Sequence, residues 1–218
     1  MRCDGLFWTR QEQLGESSAG GDTVLLAGAP QLREEVGGLD FLISPEAFFQ
    51  TNTEMAERLY EVTADMAQLR GHERVFDLYC GIGTVGLTLA ARAREVIGVE
   101  IVEAAVADAI ENARINDVLN ARFYTGDIRL ALRDLVERAG RPDLVVVDPP
   151  RAGLSAKVVR RILDAQPSRI VYVSCNPTTL APNAAQMADA GYRLTRVRPV
   201  DMFPQTPHVE SVALLERG

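Results

Sequence analysis

Arg74-Val-Phe-Asp-Leu-Tyr-Cys-Gly-Ile-Gly-Thr84-Val-Gly-Leu-Thr-Leu-Ala90 is the stretch from which the fold can be read. A short apolar run, Val75 to Leu78, meets a loop with glycines at 81 and 83, and the loop passes directly into a helical pattern. Glycine at both places lets the backbone turn tightly and approach a ligand without interference from a Cβ. The next apolar run, Glu95-Val-Ile-Gly-Val-Glu100, ends in a carboxylate seventeen residues beyond Gly83. An acid there can accept hydrogen bonds from both hydroxyls of a ribose. Strand, glycine turn, helix and a second strand closing on an acid begin a nucleoside-binding α/β sheet. Geometry to this point leaves the nucleoside open, and NAD fits it too.

The alternation continues outward. Ala121 to Thr125, Leu144 to Val147 and Arg169 to Val173 are further strand candidates, with helical stretches at Val102 to Asn116 and Ile128 to Ala139. Uninterrupted Val/Ile runs between helices imply a mostly parallel sheet with helices on both faces. Near the end, Arg193 to Val197 and Glu210 to Leu215 flank a Pro-rich loop and predict an antiparallel C-terminal hairpin. Upstream, Thr23 to Ala27 and Leu39 to Ile43 read as short strands in hairpins. Ser44-Pro45-Glu46 has the form of a helix start, with the apolar stripe Met55, Leu59, Val62 and Met66 following. The expected organisation is a short hairpin-like segment over residues 1–44, the remnant of a preceding region, and a catalytic domain over 45–218.

Formal net charge is -7, from 23 basic and 30 acidic side chains, the wrong sign for binding nucleic acid through overall charge. The charge is uneven: Arg151, Lys157, Arg160, Arg161 and Arg169 face only Asp164 in their run, and Arg193, Arg196 and Arg198 form a second cluster. Each cluster is either a solvated face or a set of phosphate contacts. Three cysteines (Cys3, Cys80, Cys175) at irregular spacing exclude a disulfide framework, and with only His72 and His208 no metal site is expected. No apolar run approaches the ~18 residues of a membrane span. Met1-Arg2-Cys3-Asp4 opens no signal peptide. The expectation is a cytoplasmic monomer.

One detail turns the cofactor away from NAD: a second acid, Asp127, follows the third strand, where it can accept from an adenine amino group. Together the loop, Glu100 and Asp127 look like the binding face of class I S-adenosylmethionine methyltransferases. The chemistry lies further on. Asp148-Pro-Pro-Arg151 aims a carboxylate from a stiffened strand end, with arginine where amino-methyltransferases place an aromatic. One strand over, Tyr172-Val-Ser-Cys175-Asn-Pro177 puts a thiol at a strand–loop junction. Pyrimidine C5 is too weak a nucleophile to attack a methyl sulfonium unless a thiolate first adds at C6. A base must later remove the C5 proton; Glu210, among Val209, Val212 and Ala213, is the candidate, with His208 as the other.

In order along the chain stand Asp77-Leu-Tyr-Cys-Gly-Ile-Gly83, Asp148-Pro-Pro-Arg-Ala-Gly-Leu154, Tyr172-Val-Ser-Cys-Asn-Pro177 and Asp201-Met-Phe-Pro-Gln-Thr-Pro-His-Val-Glu210. The run resembles the RNA uracil-C5 methyltransferases, which make 5-methyluridine in tRNA and large-subunit (23S) rRNA. Ser44-Pro-Glu-Ala-Phe-Phe-Gln50-Thr-Asn52 resembles that family's opening helix. The resemblance implies a class I S-adenosylmethionine-dependent, Rossmann-like fold, with Cys175 as nucleophile and Glu210 as proton acceptor. It implies that Gln50, Tyr79, Thr84, Glu100, Asp127 and Asp148 contact the cofactor, alongside Gly81 and Gly83 of the loop. Thr84 stands where the family often has asparagine. Phe48 is expected against RNA. The implied partner is a structured rRNA or tRNA offering a flipped-out uridine, and the loop sequences lean towards rRNA. The family's N-terminal β-barrel and iron–sulfur region have no counterpart in this sequence, so a fragment is expected. The other readings are a cytosine-C5 or amino RNA methyltransferase, and a weakly active cofactor-binding remnant without its RNA-binding module.

Overall fold

The computed structural model describes residues 3–10 and 21–218; Met1 and Arg2, part of the segment judged unlike a signal peptide, lie outside the described residues. Four short strands come first: β1 (Gly5–Arg10), β2 (Asp22–Gly28), β3 (Leu32–Val36) and β4 (Leu39–Ile43). They pair as two antiparallel ribbons, β1 with β2 and β3 with β4. After α1 (Thr53–Ala67) the chain alternates through β5 (Arg74–Leu78), α2 (Thr84–Ala90), β6 (Glu95–Glu100), α3 (Glu103–Ile115), β7 (Ala121–Thr125) and α4 (Ile128–Ala139). It continues with β8 (Leu144–Val147), α5 (Ala156–Ala165), β9 (Arg169–Ser174), α6 (Pro177–Asp189), β10 (Tyr192–Val200) and β11 (Glu210–Arg217).

Seven of these strands form one sheet in the order β10-β11-β9-β8-β5-β6-β7. β5 to β9 are mutually parallel, and β11 runs antiparallel between β9 and β10. The chain moves outward from β5 to β7, then returns to β8 on the other side. This reversal opens a crevice at the carboxyl ends of β5 and β8, where such sheets bind ligands.

Strand parity sorts the core. Val75, Val96, Val146, Val171, Val173, Val212 and Leu214 pack with α1, α2 and α3 on one face. Their neighbours Phe76, Leu78, Ile97, Val145, Val147, Tyr172 and Ala213 pack with α4, α5 and α6 on the other. Both sides of each central strand are therefore covered, which is why the strands read as continuous apolar runs.

One boundary differs from expectation. The helix predicted from Ser44-Pro45 begins at Thr53, and residues 44–52 form turns and an irregular segment. Asn52 caps α1, its Oδ1 accepting from the Met55 amide at 3.3 Å. The Ser44 hydroxyl, instead of capping, donates to Asp108 Oδ1 at 2.8 Å, while the Ser44 amide donates to Oδ2 at 2.8 Å.

That contact is the top rung of a polar ladder between α3 and β4. Asn112 accepts from Leu42 N at 2.7 Å and donates to Leu42 O at 3.2 Å; Asn116 does the same for Asp40 at 2.9 and 2.7 Å. Four residues of helix advance about 6 Å and two residues of strand about 6.7 Å, so side chains at 108, 112 and 116 meet residues 44, 42 and 40 in register. The ladder satisfies the free edge of β4 and fastens the β3–β4 ribbon to the sheet.

Candidate active site

The antiparallel pairing of β11 with β9 sets Ser211 against Ser174. Extending that register one step places Glu210, the first residue of β11, opposite Cys175, the residue after β9. Asp148 follows the adjacent β8. By parity all three belong to the face covered by α1 to α3, and each carboxylate acts electrostatically on the Cys175 thiol. The loop preceding β11 is joined to the segment before α1, since Asn52 Nδ2 donates to Met202 O at 2.9 Å. That segment carries Gln50, which is buried, and Phe48, which is 73% exposed.

On the other side of the crevice the glycine loop turns as the sequence requires. Tyr79, Gly81 and Gly83 all have positive φ, at 65°, 52° and 86°. A Cβ on Gly83 would lie 2.9 Å from the Phe123 ring, so glycine is needed there for space as well as for conformation. The loop closes on Glu100. Its Oε1 accepts from the amides of Ile101 and Val102 at 2.7 and 3.0 Å, and Oε2 accepts from Gly81 N at 3.2 Å. A carboxylate so held is fixed in direction, and it is only half-buried.

Asp127 is differently placed. Its Oδ1 accepts from the Arg129 amide at 2.8 Å as the N-cap of α4, and both oxygens receive the Arg129 guanidinium. This pairing drives the Asp127 pKa down to about 2. An adenine amino group would therefore share Asp127 with Arg129. Tyr79, half-buried beside this pair, completes that end of the site.

The centre of the crevice is strongly desolvated. Asp148 is pushed up to about 8 by burial and by the charges of Glu210 and Asp77. Burial raises Glu210 as well, and raises the Cys175 thiol, on which Glu210 and Asp148 act in the same direction and Arg151 in the opposite one. Cys80 lies buried under the glycine loop, its thiol pKa driven up by burial. Two further residues belong here that the sequence reading did not single out. Asp77 is 1% exposed, its Oδ2 has no hydrogen-bond partner among the described residues, and burial lifts it to about 7. Tyr60, on the buried face of α1, is hydrogen-bonded to the Thr84 side chain and lies near Asp148 and Asp77. A carboxylate inside an apolar strand run and a phenol inside an apolar helix stripe were the available signals.

The basic runs divide. Arg151 stands at the site, its Nη2 3.5 Å from His208 Nδ1. Arg169 instead donates to the carbonyls of Ala67 and Gln68 at 2.7 and 2.8 Å and pairs with Glu73 at 3.4 Å, closing the end of α1. It begins β9, at the opposite end of the sheet, and is structural rather than a phosphate contact. Arg198 pairs with Asp65 of α1 at 3.7 Å. Among the described residues no group of three or more His, Cys, Asp or Glu side chains is placed to hold a metal ion, and no helix is long and apolar enough to cross a membrane.

The sequence pattern of the tRNA (uracil-5-)-methyltransferase family matches residues 39–218. The chain belongs to that family. An uncharacterized RNA methyltransferase of Enterococcus faecalis is 47% identical over 199 residues, covering 91% of this chain and 44% of its own length. One from Geobacter sulfurreducens is 53% identical over 184 residues, covering 84% and 37%. The chain thus spans less than half the length of these relatives. Among solved structures, the Pyrococcus abyssi tRNA (uracil-54, C5)-methyltransferase in complex with S-adenosyl-L-homocysteine superposes with a TM-score of 0.80 at 36% identity, covering 99% of this chain and 51% of that one. Trm5b of the same organism shares the fold, with a TM-score of 0.70 at 16% identity over 98% of this chain and 64% of that one. The family's fold, a class I methyltransferase sheet with an antiparallel final hairpin, is the one described above.

Proposed function

We propose that this uracil-5-methyltransferase domain transfers a methyl group from S-adenosylmethionine to C5 of a flipped-out uridine in structured rRNA or tRNA, with Cys175 as nucleophile and Glu210 as base. The observation that carries the reading is the facing of Cys175 and Glu210 across the β9–β11 pair, with Asp148 beside them. An amino methyltransferase lacks this support, because Arg151 stands where an aromatic would stack an amino-bearing base. A cytosine-C5 enzyme would use the same thiol and C5-proton acceptor, and the base that carries the transferred methyl group separates it from the uridine reading.

The residues present fit the cofactor. Glu100 would hold the ribose hydroxyls, and the turn at Gly81 and Gly83 lets backbone approach closely. Gln50, Tyr79, Thr84, Asp127 and Asp148 would complete the contacts, Asp148 also reaching the edge of the base. When bound, S-adenosylmethionine supplies an electrophilic methyl group on a sulfonium. The chain's own residues do the rest. Cys175 loses its proton to solvent and forms the S–C6 bond, the C5=C6 electron pair moving onto O4 as an enolate. After C5 has taken the methyl group, Glu210 removes the C5 proton. The C5=C6 bond then re-forms and the C6–S bond breaks, returning the pair to sulfur.

The test is a covalent trap. RNA carrying 5-fluorouridine, from tRNA and from 23S rRNA, is incubated with the protein and S-adenosylmethionine and run on a denaturing gel. Glu210 cannot remove fluorine, so a stable protein–RNA band is expected, absent in Cys175→Ala. With ordinary uridine, Glu210→Gln should accumulate the adduct and turn over about 10²–10⁴-fold more slowly. A wild-type protein that retains the RNA on a filter yet yields no band with either RNA would overturn the proposal.

A further inference from the structure

Cys175 is asked to ionise between two carboxylates, Asp148 on the loop after β8 and Glu210 on β11, and both oppose a thiolate. Yet the thiolate is the species that adds to C6. Two features act in its favour. Cys175 immediately precedes Asn176, the N-cap of the 13-residue helix α6, so the positive end of the helix dipole lies beside it. The second is Arg151.

Three loops fix Arg151 near the thiol. Its own loop is stiffened by Pro149 and Pro150 and turned by Gly153, where φ is +73° and a Cβ would lie 2.9 Å from Thr179. The Arg151 carbonyl accepts from Asn176 Nδ2 at 3.2 Å and from Thr179 Oγ1 at 3.4 Å, which fastens its backbone to the residue after Cys175 and to the first turn of α6. Its guanidinium reaches His208, two residues before Glu210. Arg151 thereby connects the segments that carry Asp148, Cys175 and Glu210.

We propose that Arg151 is the positioning residue that supplies the counter-charge for the Cys175 thiolate, held in place by Asn176, Thr179 and His208. The inference rests on Cys175 being the nucleophile. It gives a function to the arginine of Asp148-Pro-Pro-Arg151 that differs from a phosphate contact, because it acts through the thiol before any RNA arrives.

The test reads the thiol alone. In the full chain with Cys3→Ser, and with Cys80 buried, the rate of iodoacetamide alkylation of Cys175 is followed by mass spectrometry from pH 6 to 10. Arg151→Gln should move the midpoint of that profile upward by about one pH unit, a tenfold loss of thiolate at neutral pH. Arg151→Lys, which keeps a charge, should recover most of it. Circular dichroism confirms that each variant is folded, and filter binding measures RNA affinity separately. An unchanged alkylation profile in folded Arg151→Gln overturns the proposal, whether or not RNA affinity has fallen. Failure of the 5-fluorouridine trap with a normal alkylation shift would instead count against Cys175 as nucleophile, which keeps the two failures apart.

Discussion

At Asp77 burial and an unpartnered Oδ2 favour the neutral acid, and a pH dependence of stability follows. Its folded pKa of about 7 lies above the ~3.9 of an unfolded aspartate, so between those values the folded state binds the extra proton. The stabilising contribution is complete below about pH 4 and is lost as pH rises through about 7. Asp148, raised to about 8, acts in the same sense. Asp77→Asn should therefore flatten the pH dependence of Tm across this window. At pH 8 it should raise Tm by at least the ~2–4 °C that 1 kcal/mol produces in a domain of this size. A Tm lowered equally at every pH would mean that Asp77 is ionised and paired in the fold. Cys175 and Glu210, the proposed nucleophile and base, stand out in the sequence because the proposed chemistry demands a thiol and a base, and each sits in a specific motif. Asp77 and Tyr60 are harder to pick out. Their significance comes from what surrounds them: one carboxyl with an unpaired Oδ2, one phenol set against Thr84.

Among elements, the glycine loop depends on how β6 and β7 lie beneath it. Gly98 pairs with Phe123 in the β6–β7 register. A Cβ at Gly98 would lie 2.3 Å from Phe123 Cδ1 and 2.9 Å from Cys80 Sγ. The same ring closes on Gly83, so Phe123 wedges the loop from below through the space two glycines leave. Gly98→Ala should cost about 1–3 kcal/mol in urea denaturation, the usual range for overpacking. The double variant Gly98→Ala/Phe123→Leu should lose less than the sum of the singles, since the smaller side chain removes the clash. Strict additivity would show that the ring is not the obstacle. β6, β7 and α4 are legible from the sequence to the residue because apolar period and flanking acids coincide there. The start of α1 is not, because Ser44, which looks like a cap, finds its partner in Asp108, 64 residues away. Local pattern contains no information about such a partner.

For the whole molecule, the α3–β4 ladder joins the N-terminal ribbon to the site. Asn112 is fully buried and, besides holding Leu42, donates Nδ2 to Ile82 O at 3.1 Å, inside the glycine loop. Asn112→Ala should raise amide hydrogen exchange at both Leu42 and the loop over residues 81–83, with the distant β8–β9 pair protected as before. Faster exchange confined to β4 would mean that ribbon and loop are mechanically separate. The parallel centre of the sheet and the final hairpin can be anticipated from apolar runs between helices. The ladder cannot, because three polar residues on one helix face look solvated until a strand edge is brought against them. Nor does the acidic total charge describe the surface, since arginines as different as Arg151 and Arg169 enter the same sum.

The position of β11 also has a meaning in time. Although it comes last of the strands in chain order, it lies inside the sheet, between β9 and β10. As a ribosome extends the chain, β5 to β9 can associate while β10 waits at an unfilled gap. Only when β11 is inserted does the β9 edge become interior and Glu210 come to face Cys175. Completion of the sheet and the facing of Glu210 and Cys175, the proposed base and nucleophile, are thus the same event.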